Sequence, residues 1–150
     1  VAPSSQKQPS VWSAEFYEDM GGRHLVKSWM DSLSEEKYAA LDAAITYVLE
    51  VKGLDLASTE WLTSLRGGLY EFRVRHTAEG ILRLYAGAGE EVPKRTSKIL
   101  LRLFVHFHGS KIILLLAGYD KGANNSSRHQ QAQIAAARKL LTAWQRRQTG

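Results

Sequence analysis

Leu69-Tyr70-Glu71-Phe72-Arg73-Val74-Arg75 alternates with a period of two. One face of an extended chain takes Tyr70, Phe72 and Val74, and the other takes Glu71, Arg73 and Arg75. Gly67-Gly68 in front of it is turn chemistry that hands the chain into a strand. Two apolar runs follow. Ile99–Phe107 contains Leu100-Leu101-Arg102-Leu103-Phe104, and Ile112–Tyr119 runs uncharged into Gly118-Tyr119-Asp120-Lys121. His108-Gly109-Ser110-Lys111 between them fits a two-residue hairpin, with Gly109 where a positive φ is needed. That turn pairs His108 with Lys111, Arg102 with Ala117 and Leu100 with Tyr119. Arg102, Phe104, His106 and Tyr119 then share one face, and Leu101, Leu103, Val105 and Phe107 the other. A slip of one residue inverts the assignment.

Upstream, Val11–Tyr17 alternates and reads as a first strand, broken by Met20-Gly21-Gly22-Arg23. His24–Met30 carries Leu25, Val26 and Trp29 at helical spacing. Ser32-Leu33-Ser34-Glu35 reads as a capping box. The helix it opens places Tyr38, Leu41, Ile45, Val48 and Leu49 on one face, and Gly53 ends it. Leu54–Gly68 reads as a loop with Trp61, Leu62 and Leu65 tucked against the core. Ile81–Ala86 is expected as a strand and residues 87–98 as an exposed loop. A last helix starts near Asn125-Ser126-Ser127, with Ile134, Ala137, Leu141 and Trp144 as its apolar stripe and Arg138, Lys139, Arg146 and Arg147 as its charge. The expected fold class is α+β: a mainly antiparallel sheet of four or five strands, two N-terminal helices on one side, and a C-terminal helix.

A chain of 150 residues bounds the fold to one domain, here residues 11–150, with Val1–Ser10 as a disordered leader. It has no cysteine, which excludes disulfides and thiolate metal sites. The longest apolar run falls far short of the ~20 residues of a membrane span, and the leader has no apolar core of a signal peptide. A cytoplasmic location is expected. Charge is uneven: residues 1–91 hold 9 Lys/Arg against 14 Asp/Glu, a net of −5, and residues 92–150 hold 11 against Asp120 alone, a net of +10. A basic half points to a polyanion on that side, against the plainer reading of a solvated surface.

The order Gly-Leu-Tyr-Glu with Arg73, a second strand arginine, an apolar strand ending in Gly-aromatic-x-Lys, and a helix with Ala137 four residues before Leu141 resembles the RelE/HigB superfamily of toxins, in its phage-type HigB-like subgroup. The resemblance spans roughly residues 12–147. It implies the toxin of a toxin–antitoxin pair: an endoribonuclease that cleaves mRNA on the ribosome without metal or cofactor and is silenced by a small helix-turn-helix antitoxin. The C-terminal helix, with its basic face, is a candidate antitoxin docking surface.

Such cleavage turns a ribose 2′-hydroxyl onto its own phosphate, and needs a base, an acid and cations around the phosphorane. Arg73 matches the family's strand arginine; its plainer reading is a strand residue paired with Glu71. Arg102 stands in an apolar run where an unpaired charge is costly, and Arg83 is its rival for the second strand arginine. Lys121 matches the first lysine of a frequent Lys-Lys pair and Gly122 departs from the second, with Lys111 or Arg128 as substitutes. Tyr119 stacks on a base or relays a proton; its plainer reading is edge packing. Arg73, Arg102, Lys121 and Tyr119 are thus the candidate catalytic residues. Arg75, Arg83, His106, Lys111 and Arg128 are candidates for nucleic-acid binding. His106 and His108 project together, but no carboxylate pair completes a metal set. His76 and His129 are weaker acid–base candidates. The alternatives are a ParE-like toxin that inhibits gyrase by contact, or a non-enzymatic nucleic-acid-binding protein of phage takeover.

Overall fold

The computed structural model describes residues 10–85 and 98–149. The expected leader, apart from Ser10, and the expected 87–98 loop, apart from Lys98, lie outside the described residues. The architecture is α+β. Strands β1 (Ser13–Phe16), β2 (Leu62–Ser64), β3 (Tyr70–Val74), β4 (Leu101–His108) and β5 (Ile112–Asp120) form one sheet in the order β1-β5-β4-β3-β2. β1 lies parallel to β5 and every other pair is antiparallel. Among the described residues four α-helices of seven or more residues accompany it: α1 (Leu25–Asp31), α2 (Glu35–Ala44), α3 (Ala78–Tyr85) and α4 (Ser127–Thr149).

The two faces of the sheet bury separate clusters. Phe72, Val74, Leu101, Leu103, Val105, Ile113 and Leu115 meet α1 and α2, while Leu69, Phe104, Leu114, Leu116 and Tyr119 meet Ala137 and Leu141 of α4. The alternation of β3 and β4 thus has its physical cause in a helix on each side. Among the described residues no helix is long and apolar enough to cross a membrane.

Several expectations are corrected. Ser32 closes α1, its hydroxyl donating to the Trp29 carbonyl, and Ser34 caps α2 by accepting from the Lys37 amide. The third helical residue is therefore Lys37 and no capping box forms. Leu41, Ile45, Val48 and Leu49 are buried as expected, but Tyr38 is exposed. α2 widens into a π-helical stretch over Ile45–Leu49 and ends at Gly53, where φ is 48°. The carbonyl of Glu50 accepts from Val11 and Trp12, and its carboxylate accepts from the Ala14 amide at 2.8 Å. Trp61 and Leu62 are buried as read, and Leu62–Ser64 adds the short edge strand β2 within the expected loop.

The run Ile81–Ala86 is not a strand; Ala78–Tyr85 is helical and Ala86 lies outside the described residues. The Thr77 hydroxyl accepts from the Gly80 amide at 3.1 Å, a cap that starts the helix. Gly80 and Ile81 are buried where α3 packs on α2, whose buried Ala40, Ala43 and Ala44 permit a close approach. Leu82, Arg83 and Leu84 are good helix formers, and cap and packing select the helix. Arg83 is accordingly helical, on the α1–α2 side of the sheet.

The β4–β5 turn also differs. Gly109 (φ 54°) and Lys111 (φ 65°) both take positive φ, so three residues form the loop and His108 pairs with Ile112. Lys111 is held there by neighbours: its carbonyl accepts from Ser13 at 2.8 Å and its ammonium lies 4.6 Å from the Trp12 ring centroid. A second irregularity follows, a bulge that leaves Leu116 unpaired between Val105↔Leu115 and Phe104↔Ala117. Arg102 therefore pairs with Tyr119 and not Ala117. The two shifts add to an even number, so Arg102, Phe104, His106 and Tyr119 do share one face.

Gly118 then points at α1, and a Cβ built there would run into the Trp29 indole. Gly118→Ala is expected to destabilise the fold by about 2 kcal/mol, with part of the loss recovered in Gly118→Ala/Trp29→Leu. Urea unfolding of the two variants measures both.

Candidate functional site

The α4 face of the sheet carries Arg73, Arg102 and Tyr119 in one row across three strands, because Arg73 pairs with Arg102 and Arg102 with Tyr119. Glu71 stands two residues along β3 on the same face. Its carboxylate is fully buried, with Oε1 3.0 Å from Nε of Arg73 and 3.9 Å from Nε of Arg102. Oε2 accepts from the Gln130 amide of α4 at 3.4 Å. Two arginines opposite each other repel; the shared carboxylate allows the row to form. Arg102 is 2% exposed and also donates to its neighbour's carbonyl, Leu101. Burial holds its guanidinium below the ordinary range, with Glu71 opposing that shift and Arg73 and Arg75 adding to it.

Tyr119 is 5% exposed, stacked on Phe104 at 6.0 Å between centroids and met edge-on by His129 of α4 at 5.2 Å. Its hydroxyl has no hydrogen-bond partner among the described residues. Burial raises its pKa, Glu71 raises it further, and Arg102 and Arg73 counter. Tyr119 therefore packs, as its plainer reading has it, and does so among the charges of the row.

Lys121 follows at the end of β5. The turn carrying it is pinned by Asp120, which pairs with Lys37 of α2 and accepts from the Gly122 amide at 2.9 Å. The Lys121 ammonium is held below the ordinary lysine range first by burial, then by repulsion from Arg102, with Glu71 opposing and Arg73 and Arg75 adding. Arg73 and Lys121 are partly exposed, so the cluster opens to solvent through them.

The structure thus gathers Arg73, Arg75, Arg102, Tyr119 and Lys121 at one end of one face. Arg128 is exposed in the adjoining first turn of α4. Other candidates lie apart. His106 is under α4, its Nδ1 donating to the Gly68 carbonyl at 2.7 Å and its ring stacked on His108 and meeting Trp144. Burial, with His106 adjacent, keeps His108 below the ordinary histidine range, and Glu15 opposes. Lys111 is at the other end of β5, about 30 Å from Lys121. Among the described residues no group of three or more His, Asp or Glu is placed to hold a metal ion.

Glu71, Gln130 and His129 are the members that sequence reasoning undervalued. Period-two alternation already put Glu71 beside Arg73, but its full burial comes from α4, whose docking no local pattern reveals.

Glu71→Gln is expected to cost about 3 kcal/mol, because it strips the buried arginine of its counter-charge. Glu71→Gln/Arg102→Met recovers most of the loss, as chemical denaturation would show. Lys121→Met is expected to stabilise the protein at neutral pH by removing a repelled cation. The unfolded chain keeps the Lys121 proton to higher pH than the folded one does, so wild-type stability rises through that interval. The advantage of Lys121→Met should therefore be full at neutral pH and fade toward the ordinary lysine pKa, which thermal melts across pH would follow. No protein-family model and no curated protein matches the chain, so the chemistry of these side chains is what bears on its role.

Proposed function

We propose that the chain is an endoribonuclease that cleaves mRNA by metal-independent transesterification, and that it acts as a translation-inhibiting toxin. The observation that carries this is the row of Arg73 and Arg102 around buried Glu71, with Lys121 beside it. A net-positive cluster preorganised on a rigid sheet suits a phosphorane that gains charge in the transition state. The resemblance to RelE/HigB toxins supports the biological setting: action on the ribosome in the cytoplasm, with a small helix-turn-helix antitoxin as silencing partner.

In this mechanism Arg73, whose planar fork is partly exposed, holds the scissile phosphate. His129 takes the proton of the 2′-hydroxyl, whose oxygen attacks phosphorus. The P–O5′ bond breaks and the leaving oxygen takes a proton from Lys121, an ammonium already biased toward release. The products are a 2′,3′-cyclic phosphate and a 5′-hydroxyl end. Arg102 is too buried to meet the phosphate directly; it fixes Glu71, and Glu71 fixes Arg73. Tyr119 lines the floor. Arg75 and Arg128 bind flanking phosphates.

The burial of Arg102 and Tyr119 also favours a second reading, a nucleic-acid binder that does not cut, since phosphate contact requires no chemistry.

Primer extension on mRNA from a coupled translation reaction separates the two. New 5′ ends within codons are expected, and Arg73→Ala or Lys121→Ala should lower cleavage by ~10²-fold or more while each variant stays folded at the assay temperature. Intact mRNA with stalled translation supports the non-cutting binder, and intact mRNA with normal translation overturns both.

A further inference from the structure

The outward side of α4 carries a second set of cations. Arg128, Ala132, Ala135, Lys139, Thr142 and Arg146 fall at i, i+4, i+7, i+11, i+14 and i+18, which brings each back to one line along a straight helix. All six are exposed. The whole helix, Ser127–Thr149, contains five Arg/Lys and no Asp or Glu. Two of the five serve the fold. Arg138 donates to the carbonyls of Leu65 and Arg66, and Arg147 donates to the Glu18 carbonyl while lying over the Tyr17 ring. The other three, Arg128, Lys139 and Arg146, are the cations of the line, and no carboxylate lies within ion-pair distance of them among the described residues.

Alanine and threonine separate these charges, so a long polymer can lie close along about 27 Å of helix. A protein partner would need apolar or aromatic anchors at its centre. The large exposed apolar residues, Val11, Phe16, Met20, Tyr38, Leu54 and Leu84, all lie off α4. The line also begins at the candidate site, since Arg128 precedes His129 and Gln130, which touch Tyr119 and Glu71.

We propose that Arg128, Lys139 and Arg146 form a track for the phosphate backbone of single-stranded RNA as it leaves the Arg73–Lys121 cluster, an inference that rests on the RNA reading of that cluster. The track lengthens the bound segment beyond the cleaved nucleotides and contributes affinity without base preference.

A labelled 20-nucleotide 2′-O-methyl RNA, which has no 2′-hydroxyl to attack, tests this by fluorescence anisotropy over a salt series. Lys139→Gln/Arg146→Gln should lower the slope of log affinity against log salt by about 1.4, the value for two lost single-strand contacts, and weaken binding about 25-fold at 0.1 M salt. Its melting temperature should match wild type. Unchanged slope and affinity in that variant, with Arg73→Ala still weakening binding, would overturn the track and leave the cluster reading in place. Loss in the α4 variant with none in Arg73→Ala would overturn the link to the cluster. No binding by the wild type at low salt would overturn both readings. Displacement of the RNA by polyglutamate of equal charge would reassign the line to an acidic protein.

Discussion

One buried carboxylate, that of Glu71, sets the character of the exposed end of the sheet. β3 and β4 place Arg73 and Arg102 directly opposite each other, a pairing that would by itself push the strands apart. Glu71 supplies a common partner on the same face, and Gln130 of α4 completes its coordination. The same group therefore joins two strands and a helix. It also fixes the electrostatic balance. A second acid would lower the positive excess of the cluster, whereas no acid at all would leave Arg102 buried without compensation. One anion among several cations is the composition that both folds and attracts.

The bulge at Leu116 is the companion constraint. The three-residue turn at Gly109–Lys111 sends Leu114 toward α4. Continued without interruption, that register would carry Gly118 to the α4 face and swing Tyr119 toward α1. The unpaired Leu116 restores the parity. Tyr119 then joins Arg102 under α4, and the space that Trp29 requires is met by a residue with no side chain. A bulge that re-aims one end of a strand is a frequent device beside functional residues. Here it allows one strand to serve the apolar needs of α4 at its start and the charged row at its end.

Much of this was readable from the amino-acid order. The alternation of Leu69–Arg75 has one interpretation on a two-sided sheet, so the common face of Glu71, Arg73 and Arg75 follows from local pattern. The face of Arg102 was assigned correctly for a poorer reason, since a turn read one residue short was offset by a bulge that no residue type announces. The Ile81 run misleads because a short, largely apolar stretch reads as strand or helix by pattern alone; the deciding partner, the alanine face of α2, is some 40 positions away in the chain. β2 escapes notice because three residues are too few to show a period. The weight of Glu71 was hidden for a related reason: burial is a property of what lands on a residue, and Gln130 comes 59 positions later.

The pairing of β1 with β5 has a consequence for the order of assembly. Ser13 meets Ile112 and Phe16 meets Leu115, so β1 has no strand to pair with until β5 has been made, after β2, β3 and β4. The strand that receives it, β5, also carries Tyr119 near its end, and the carboxylate that balances the row accepts from Gln130, a residue beyond it. Until β5 and α4 follow, Arg102 lacks Tyr119 beside it and Glu71 lacks Gln130. The charged row is complete only once α4 has followed β5 out of the exit tunnel, and long-range closure of this kind is slow relative to local helix formation. The row is thus a property of the closed sheet with α4 docked on it, and no single hairpin carries all of it.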